Sequence, residues 1–189
     1  MKDNNYFYQP AEDSYFIAEI VSSYLGKIQE NIKKEMKVLD MGTGSGIQAK
    51  TCIDNGIKKS NIYSVDINAG ALREARKLGV RIIKSDLFYK LNKEIKYDLV
   101  IFNPPYLPES KHDKEKDTTG GKYGDETIIK FLSKLKNYME KEGVCFLLTS
   151  SLTPHKKWME IADREKLSVT QLSSKKIFQE ALFIWKITY

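Results

Sequence analysis

Nine consecutive residues constrain this chain more than any others: Val38-Leu39-Asp40-Met41-Gly42-Thr43-Gly44-Ser45-Gly46. An apolar run ends in an acid and is followed at once by glycines at alternate positions. Glycine takes positive φ without steric cost and leaves the main chain open to close approach. The pattern predicts a strand, a tight turn and a helix, with backbone exposed to a small ligand. Ile47 to Asn55 reads as that helix, ended by Gly56.

The rest of the chain repeats the alternation. Tyr15 to Leu25 has helical apolar spacing closed by Gly26, and a polar stretch, 27–37, leads to the first strand. Asn61 to Asp66 reads as a strand, Ala69 to Leu78 as a helix, and Val80 to Lys84 and Tyr97 to Phe102 as strands. Residues 107–124 read as a polar loop. Asp125 to Glu142 reads as one long helix with a stripe of Ile128, Phe131, Leu132, Leu135, Tyr138 and Met139, stopped by Gly143. Val144 to Thr149 is a strand, and Thr153-Pro154 starts a helix with Thr153 as its N-cap. Leu167 to Leu172 and Ala181 to Thr188 are two last strands with no helix between them. Strands alternating with helices require a parallel sheet with right-handed crossovers. The final pair implies one inserted antiparallel strand. The expected fold is α/β and Rossmann-like: a seven-stranded, mostly parallel sheet with helices on both faces.

Composition fits one globular domain spanning 1–189: 189 residues, 41% hydrophobic and 30% charged. It divides into a helical lead-in (1–36), a cofactor half (37–106), a substrate loop (107–124) and a C-terminal half (125–189). No apolar run approaches the roughly 18 residues of a membrane span, and the N-terminus lacks a signal-peptide core. Cys52 and Cys145 lie in apolar stretches without metal-ligand spacing, so no metal site and a reducing cytoplasm are expected. The net charge of +6 comes from lysines spread among acids, a solvated basic surface rather than a nucleic-acid stripe.

Three acids follow three successive strands: Asp40, Asp66 and Asp86. Singly, each is an ordinary turn or cap residue. Together they lie on the carboxyl edge of the sheet, where open α/β folds bind ligands. A dinucleotide fingerprint needs a third glycine where Ile47 stands, and Asp40 would repel a pyrophosphate. A cofactor carrying positive charge and no phosphate, such as S-adenosylmethionine, fits better. Asp40 would take its ammonium directly or through water, and Asp66 both ribose hydroxyls. Asp86 would accept from the adenine amino group, with Leu87 and Phe88 beside the base. Asn103-Pro104-Pro105-Tyr106 ends the fourth strand. The Asn103 side-chain oxygen and the Pro104 carbonyl would face the two N–H groups of one planar amino group, orienting it for methyl transfer. Tyr106 would pack on the flat substrate group.

With these motifs the chain resembles a class I S-adenosylmethionine-dependent methyltransferase of the HemK-like family, over most of its length from Tyr8. Tyr8-Gln9-Pro10-Ala11-Glu12-Asp13-Ser14 resembles the family's N-terminal motif, in which the residue matching Ser14 approaches the cofactor's methionine part. The resemblance places Tyr8, Pro10, Ser14, Asp40, Gly42, Thr43, Gly44, Asp66, Ile67, Asp86, Leu87 and Asn103 at the cofactor. It gives Asn103, Pro104, Pro105 and Tyr106 to catalysis, and Asp117-Thr118-Thr119-Gly120-Gly121 to the glycine-rich segment that follows. It implies methylation of the glutamine side chain in the Gly-Gly-Gln motif of a class 1 translation release factor. The early start of the cofactor fold resembles the short archaeal and eukaryotic type, in which a small zinc-binding activator protein often pairs along the sheet edge. The motif at Asn103 is shared with adenine-N6, cytosine-N4 and guanine-N2 methyltransferases, so nucleic-acid amino methylation is the second reading. A non-catalytic cofactor-binding module is the third. The 107–124 loop balances Glu109, Asp113, Glu115 and Asp117 against Lys111, Lys114, Lys116 and Lys122. A phosphate-backbone site would be basic, so this neutrality favours a protein acceptor. His112 and His155 read as solvated surface.

Overall fold

A computed structural model describes residues 9–107, 120–178 and 180–189. Tyr8, His112 and the greater part of the 107–124 loop, Asp117 to Thr119 included, lie outside the described residues.

Seven strands form one sheet in the order β3-β2-β1-β4-β5-β7-β6. They are β1 (Val38–Met41), β2 (Ile62–Asp66), β3 (Arg81–Lys84), β4 (Tyr97–Phe102), β5 (Met139–Ser150), β6 (Ser168–Ile177) and β7 (Glu180–Thr188). β1 to β5 run parallel to one another. β7 is antiparallel to both β5 and β6, so the expected inserted strand is present. Among the described residues, six α-helices accompany the sheet: α1 (Glu12–Leu25), α2 (Glu30–Lys33), α3 (Ile47–Asp54), α4 (Ala69–Arg76), α5 (Glu126–Leu135) and α6 (His155–Arg164). No helix among the described residues is long and apolar enough to cross a membrane.

Alternate side chains of each central strand feed opposite faces, as the two-residue period requires. Leu99 and Ile101 join Phe16, Ile17 and Val21 of α1 on one face. Val100 and Phe102 join Phe131 and Leu135 of α5 on the other. Because both faces are covered, β1 is buried at all four positions. An apolar acid-free strand would be the easy solution there, yet Asp40 is among the four and only 1% exposed.

Three expectations about the second half need correction. The helix expected to run to Glu142 stops at Leu135, although Tyr138 and Met139 are buried as predicted. Sheet pairing claims the backbone first: the Tyr97 N–H donates to the Tyr138 carbonyl at 2.8 Å. Gly143 lies within β5, in the stretch where its register with β4 shifts, rather than at a helix stop; a Cβ there would lie 2.9 Å from the Glu140 and Tyr97 carbonyl oxygens. Thr153 does not cap α6, whose N-cap is Pro154. Its hydroxyl instead accepts from the Ser150 N–H and donates to the Tyr106 carbonyl, at 3.2 and 3.3 Å. Finally, His155 is half-buried rather than solvated, edge-on to Trp158, Phe183 and Trp185 at 5.6–5.7 Å.

Candidate functional site

The glycine loop after β1 opens the site. Gly42, Gly44 and Gly46 all take positive φ, at +64°, +53° and +83°. At Gly46 a Cβ would meet Leu78 at 2.9 Å and the Ala75 backbone at 3.3 Å, so this glycine also lets α3 and α4 approach. Asp40 closes the turn from beneath. Its Oδ2 accepts from the Thr43 hydroxyl at 2.6 Å and from the Ala49 N–H at 3.2 Å. Burial pushes its carboxyl up to about 7; the Thr43 and Ala49 bonds pull the other way, and the charge of Asp66 adds to the rise.

A cavity of about 430 Å³ lies along the carboxyl ends of β1 to β4. That is the size of a small-molecule site, and it spans the point where β1 separates crossovers leading to β2 and to β4. At its β2 end, Asp66 Oδ2 accepts from the Gly44 N–H at 3.0 Å and Oδ1 from the Asn68 N–H at 2.8 Å. Asp86 and Leu87 line the β3 end, Asp86 exposed at the rim. Leu87 is held at φ +45°, a left-handed conformation that costs an L-residue about 1–2 kcal/mol.

At the β4 end, Asn103 lines the cavity. Its Nδ2 donates to Asp13 Oδ2 at 3.0 Å, across 90 positions of sequence. Its Oδ1 is buried and has no hydrogen-bond partner. Asp13 is itself only 4% exposed and is held through Oδ1 by the Ser14 N–H at 2.6 Å. The α1 turn thereby fixes which way the amide faces. Pro105 lines the same wall, backed by Gly120, where a Cβ would sit 2.5 Å from the Pro105 carbonyl and 2.4 Å from that of Gly124.

The structure thus brings Ser14, Gly42, Thr43, Gly44, Asp66, Ile67, Asp86, Leu87, Asn103 and Pro105 onto one cavity. Asp40, Pro10, Pro104 and Tyr106 are not on its wall. Asp40 is committed beneath the loop, and Tyr106 packs against the core cluster shared with α1. Phe88 corrects the expected apolar clasp: it is a core residue, stacked on Tyr138 at 4.5 Å. Leu87 and Ile67 supply the apolar wall instead. Sequence reasoning missed Asp13, Gln48 and the α5 wall of Glu126, Thr127 and Lys130. A polar Gln48 between Ile47 and Ala49, in the turn directly after the glycine loop, was the available signal for one of them.

Residues 22–171 match the methyltransferase small domain family. The chain is 35% identical over 160 residues to the Methanocaldococcus jannaschii protein MJ0928, provisionally named a protein N5-glutamine methyltransferase, covering 79% of this chain and 75% of that one. It is 26% identical to human methyltransferase HEMK2 over 196 residues, covering 96% and 89% of the two chains. It spans only 24% to 50% of the length of the bacterial release factor glutamine methyltransferases that it matches. Among solved structures, the E. cuniculi Mtq2-Trm112 complex, described as responsible for methylating the termination factor eRF1, superposes with a TM-score of 0.75 at 25% identity, covering 96% and 98%. With the fold, the glycine loop and the matched span in agreement, this chain belongs to the methyltransferase small domain family.

Proposed function

We propose that this protein transfers a methyl group from S-adenosylmethionine to a glutamine side-chain nitrogen in the Gly-Gly-Gln motif of a class 1 translation release factor. The observation that carries the reading is the Asn103 amide. Its donor half is tied to Asp13, its acceptor half is buried and unpaired, and the residue lines the cavity. An unpaired buried oxygen costs about 1–3 kcal/mol, so the arrangement favours a ligand that brings an N–H. A planar –NH2 group is such a ligand. The names of MJ0928 and of the bacterial relatives support glutamine as its source.

The cofactor supplies an electrophilic methyl on a sulfonium, whose sulfur leaves as a neutral thioether. Asp66, on the cavity wall at the β2 end, accepts the ribose hydroxyls. Asp86 and Leu87 receive the adenine, with Ile67 against its face. Asn103 Oδ1 holds one amide N–H and turns the nitrogen lone pair toward the methyl; the Pro104 carbonyl, outside the cavity wall, takes the second N–H beyond Pro105. Tyr106 shapes the acceptor slot from the α1 side. The work is orientation and desolvation rather than strong base catalysis, and the displaced amide proton passes to water. A small zinc-binding activator protein pairs along a sheet edge in this reading. The solved Mtq2 neighbour is itself a complex with Trm112.

Labelled cofactor offered with the organism's own release factor and its total RNA in parallel tests the proposal, with mass spectrometry to locate the label. Label on the Gly-Gly-Gln glutamine is expected, with a co-expressed activator where the chain alone is inactive. Label confined to RNA would overturn the acceptor and keep the amino-methylating site.

A further inference from the structure

Gln48 is a cavity residue whose chemistry the proposed function leaves unused. It stands in the first turn of α3, lines the cavity, and is only 4% exposed. Its Nε2 donates to the Ser14 carbonyl at 2.9 Å. That bond fixes the direction of the amide and leaves Oε1 buried with no partner. A staple between α3 and α1 would need the donor alone. The oxygen is a second orphaned acceptor, on a residue that lines the same cavity as Asn103, and consecutive residues of α1, Asp13 and Ser14, hold the two amides.

The position of Oε1 selects its donor. The cavity runs from Asp86 after β3, past Asp66 after β2, to Gly42 after β1 and Asn103 after β4. A ligand with its base at Leu87 and its ribose at Asp66 carries its other end to the first turns of α1 and α3. In S-adenosylmethionine that end is an amino acid. Its carboxylate only accepts hydrogen bonds and its sulfonium has no N–H to give. The ammonium alone is a donor. Asp40, the acid that the sequence suggests for the ammonium, already accepts from Thr43 and Ala49 and is off the wall. Resting on the cofactor reading above, we infer that Gln48 Oε1 binds the ammonium of the cofactor's methionine part, with the Ser14 carbonyl as its positioning group.

Isothermal titration of the full chain with two ligands tests this. S-adenosylhomocysteine carries the amino-acid end; 5′-deoxy-5′-methylthioadenosine shares the nucleoside and thioether but lacks it. Gln48→Leu is expected to weaken S-adenosylhomocysteine about tenfold or more, the scale of a hydrogen bond to a charged group, and to leave methylthioadenosine within about twofold. Gln48→Met, closer in length and without a polar head, carries the same test if circular dichroism shows the leucine variant unfolded. Unchanged affinity for S-adenosylhomocysteine, or equal loss for both ligands in a folded variant, would overturn the inference. Wild-type protein that binds neither ligand would overturn the cofactor reading, and this assignment with it.

Discussion

The two ends of the cavity are built on opposite principles. At the β2 end, Asp66 has both oxygens engaged by backbone N–H groups, and Asp40 beneath it is engaged by Thr43 and Ala49. These acids hold the loop in shape whether or not a ligand is bound. At the β4 end, Asn103 Oδ1 and Gln48 Oε1 are buried and unpaired, while their amino groups are pinned by α1. Here the fold leaves acceptors that an N–H donor satisfies. The first end is a self-sufficient cradle for a nucleoside. The second is an electrostatic template, complete only when its N–H donors arrive. A preorganised acceptor of that kind needs no reorganisation at the moment of reaction.

The contrast breaks most severely at Gly120. A Cβ there meets backbone on two sides, at 2.4 and 2.5 Å, so the Asn103–Tyr106 turn must move. Gly120→Ala should lower kcat about 100-fold or more, because a displacement near 1 Å costs roughly that much, with far smaller loss of cofactor affinity by calorimetry. Equal losses in both would mean that the two ends are not separable.

Asp66→Ala attacks the other end. It should weaken cofactor binding about 30-fold to 100-fold, from the loss of hydrogen bonds worth about 1.5–3 kcal/mol to a charged group. Turnover at saturating cofactor should change much less. Unchanged affinity would refute the ribose assignment.

Asp13→Ala sharpens the comparison, since Asp13 acts through Asn103. Release of the amide should cost about tenfold in kcat, from one hydrogen bond of about 1–2 kcal/mol, with cofactor affinity near wild type. A fall in cofactor affinity alone would place Asp13 at the wrong end.

The last test reads stability rather than turnover and concerns Asp40 and pH. Its carboxyl titrates near 7 in the folded chain, against an ordinary value near 4. Between those values the folded chain keeps a proton that the unfolded chain has released. Stability from this group therefore falls as pH rises through that window and levels above it. Asp40→Asn removes this part of the slope, so urea unfolding should show the variant gaining on wild type between about pH 4.5 and about pH 7.5. A stability difference that stays constant would contradict it.

The same contrast explains what the sequence made legible. Strand-end acids and spaced glycines announce themselves locally, because each is defined by its neighbours in the chain. Asp66 after an apolar run and Gly42 to Gly46 before a helical pattern needed no tertiary information. The template end depends on pairs distant in sequence. Asp13 meets Asn103 across 90 positions and Ser14 meets Gln48 across 34. Local periodicity carries no trace of such pairs. It also misled where packing and pairing diverge. Tyr138 and Met139 continue the apolar stripe of α5, yet they are buried in the turn and first strand position that lead into β5, because β4 pairs with that backbone. Phe88 followed Leu87 in sequence and was expected at the base, but its ring found Tyr138 and Phe131 in the core.

The central claim is that Asn103 Oδ1 belongs to the acceptor and not to the fold. Asn103→Ala, measured for cofactor affinity by calorimetry and for single-turnover methylation of the release factor, tests it most directly. The account predicts affinity within a few-fold of wild type and a rate lower by about 3 kcal/mol, more than 100-fold, the loss expected of one preorganised polar contact. Near-wild-type turnover in a folded variant would contradict it.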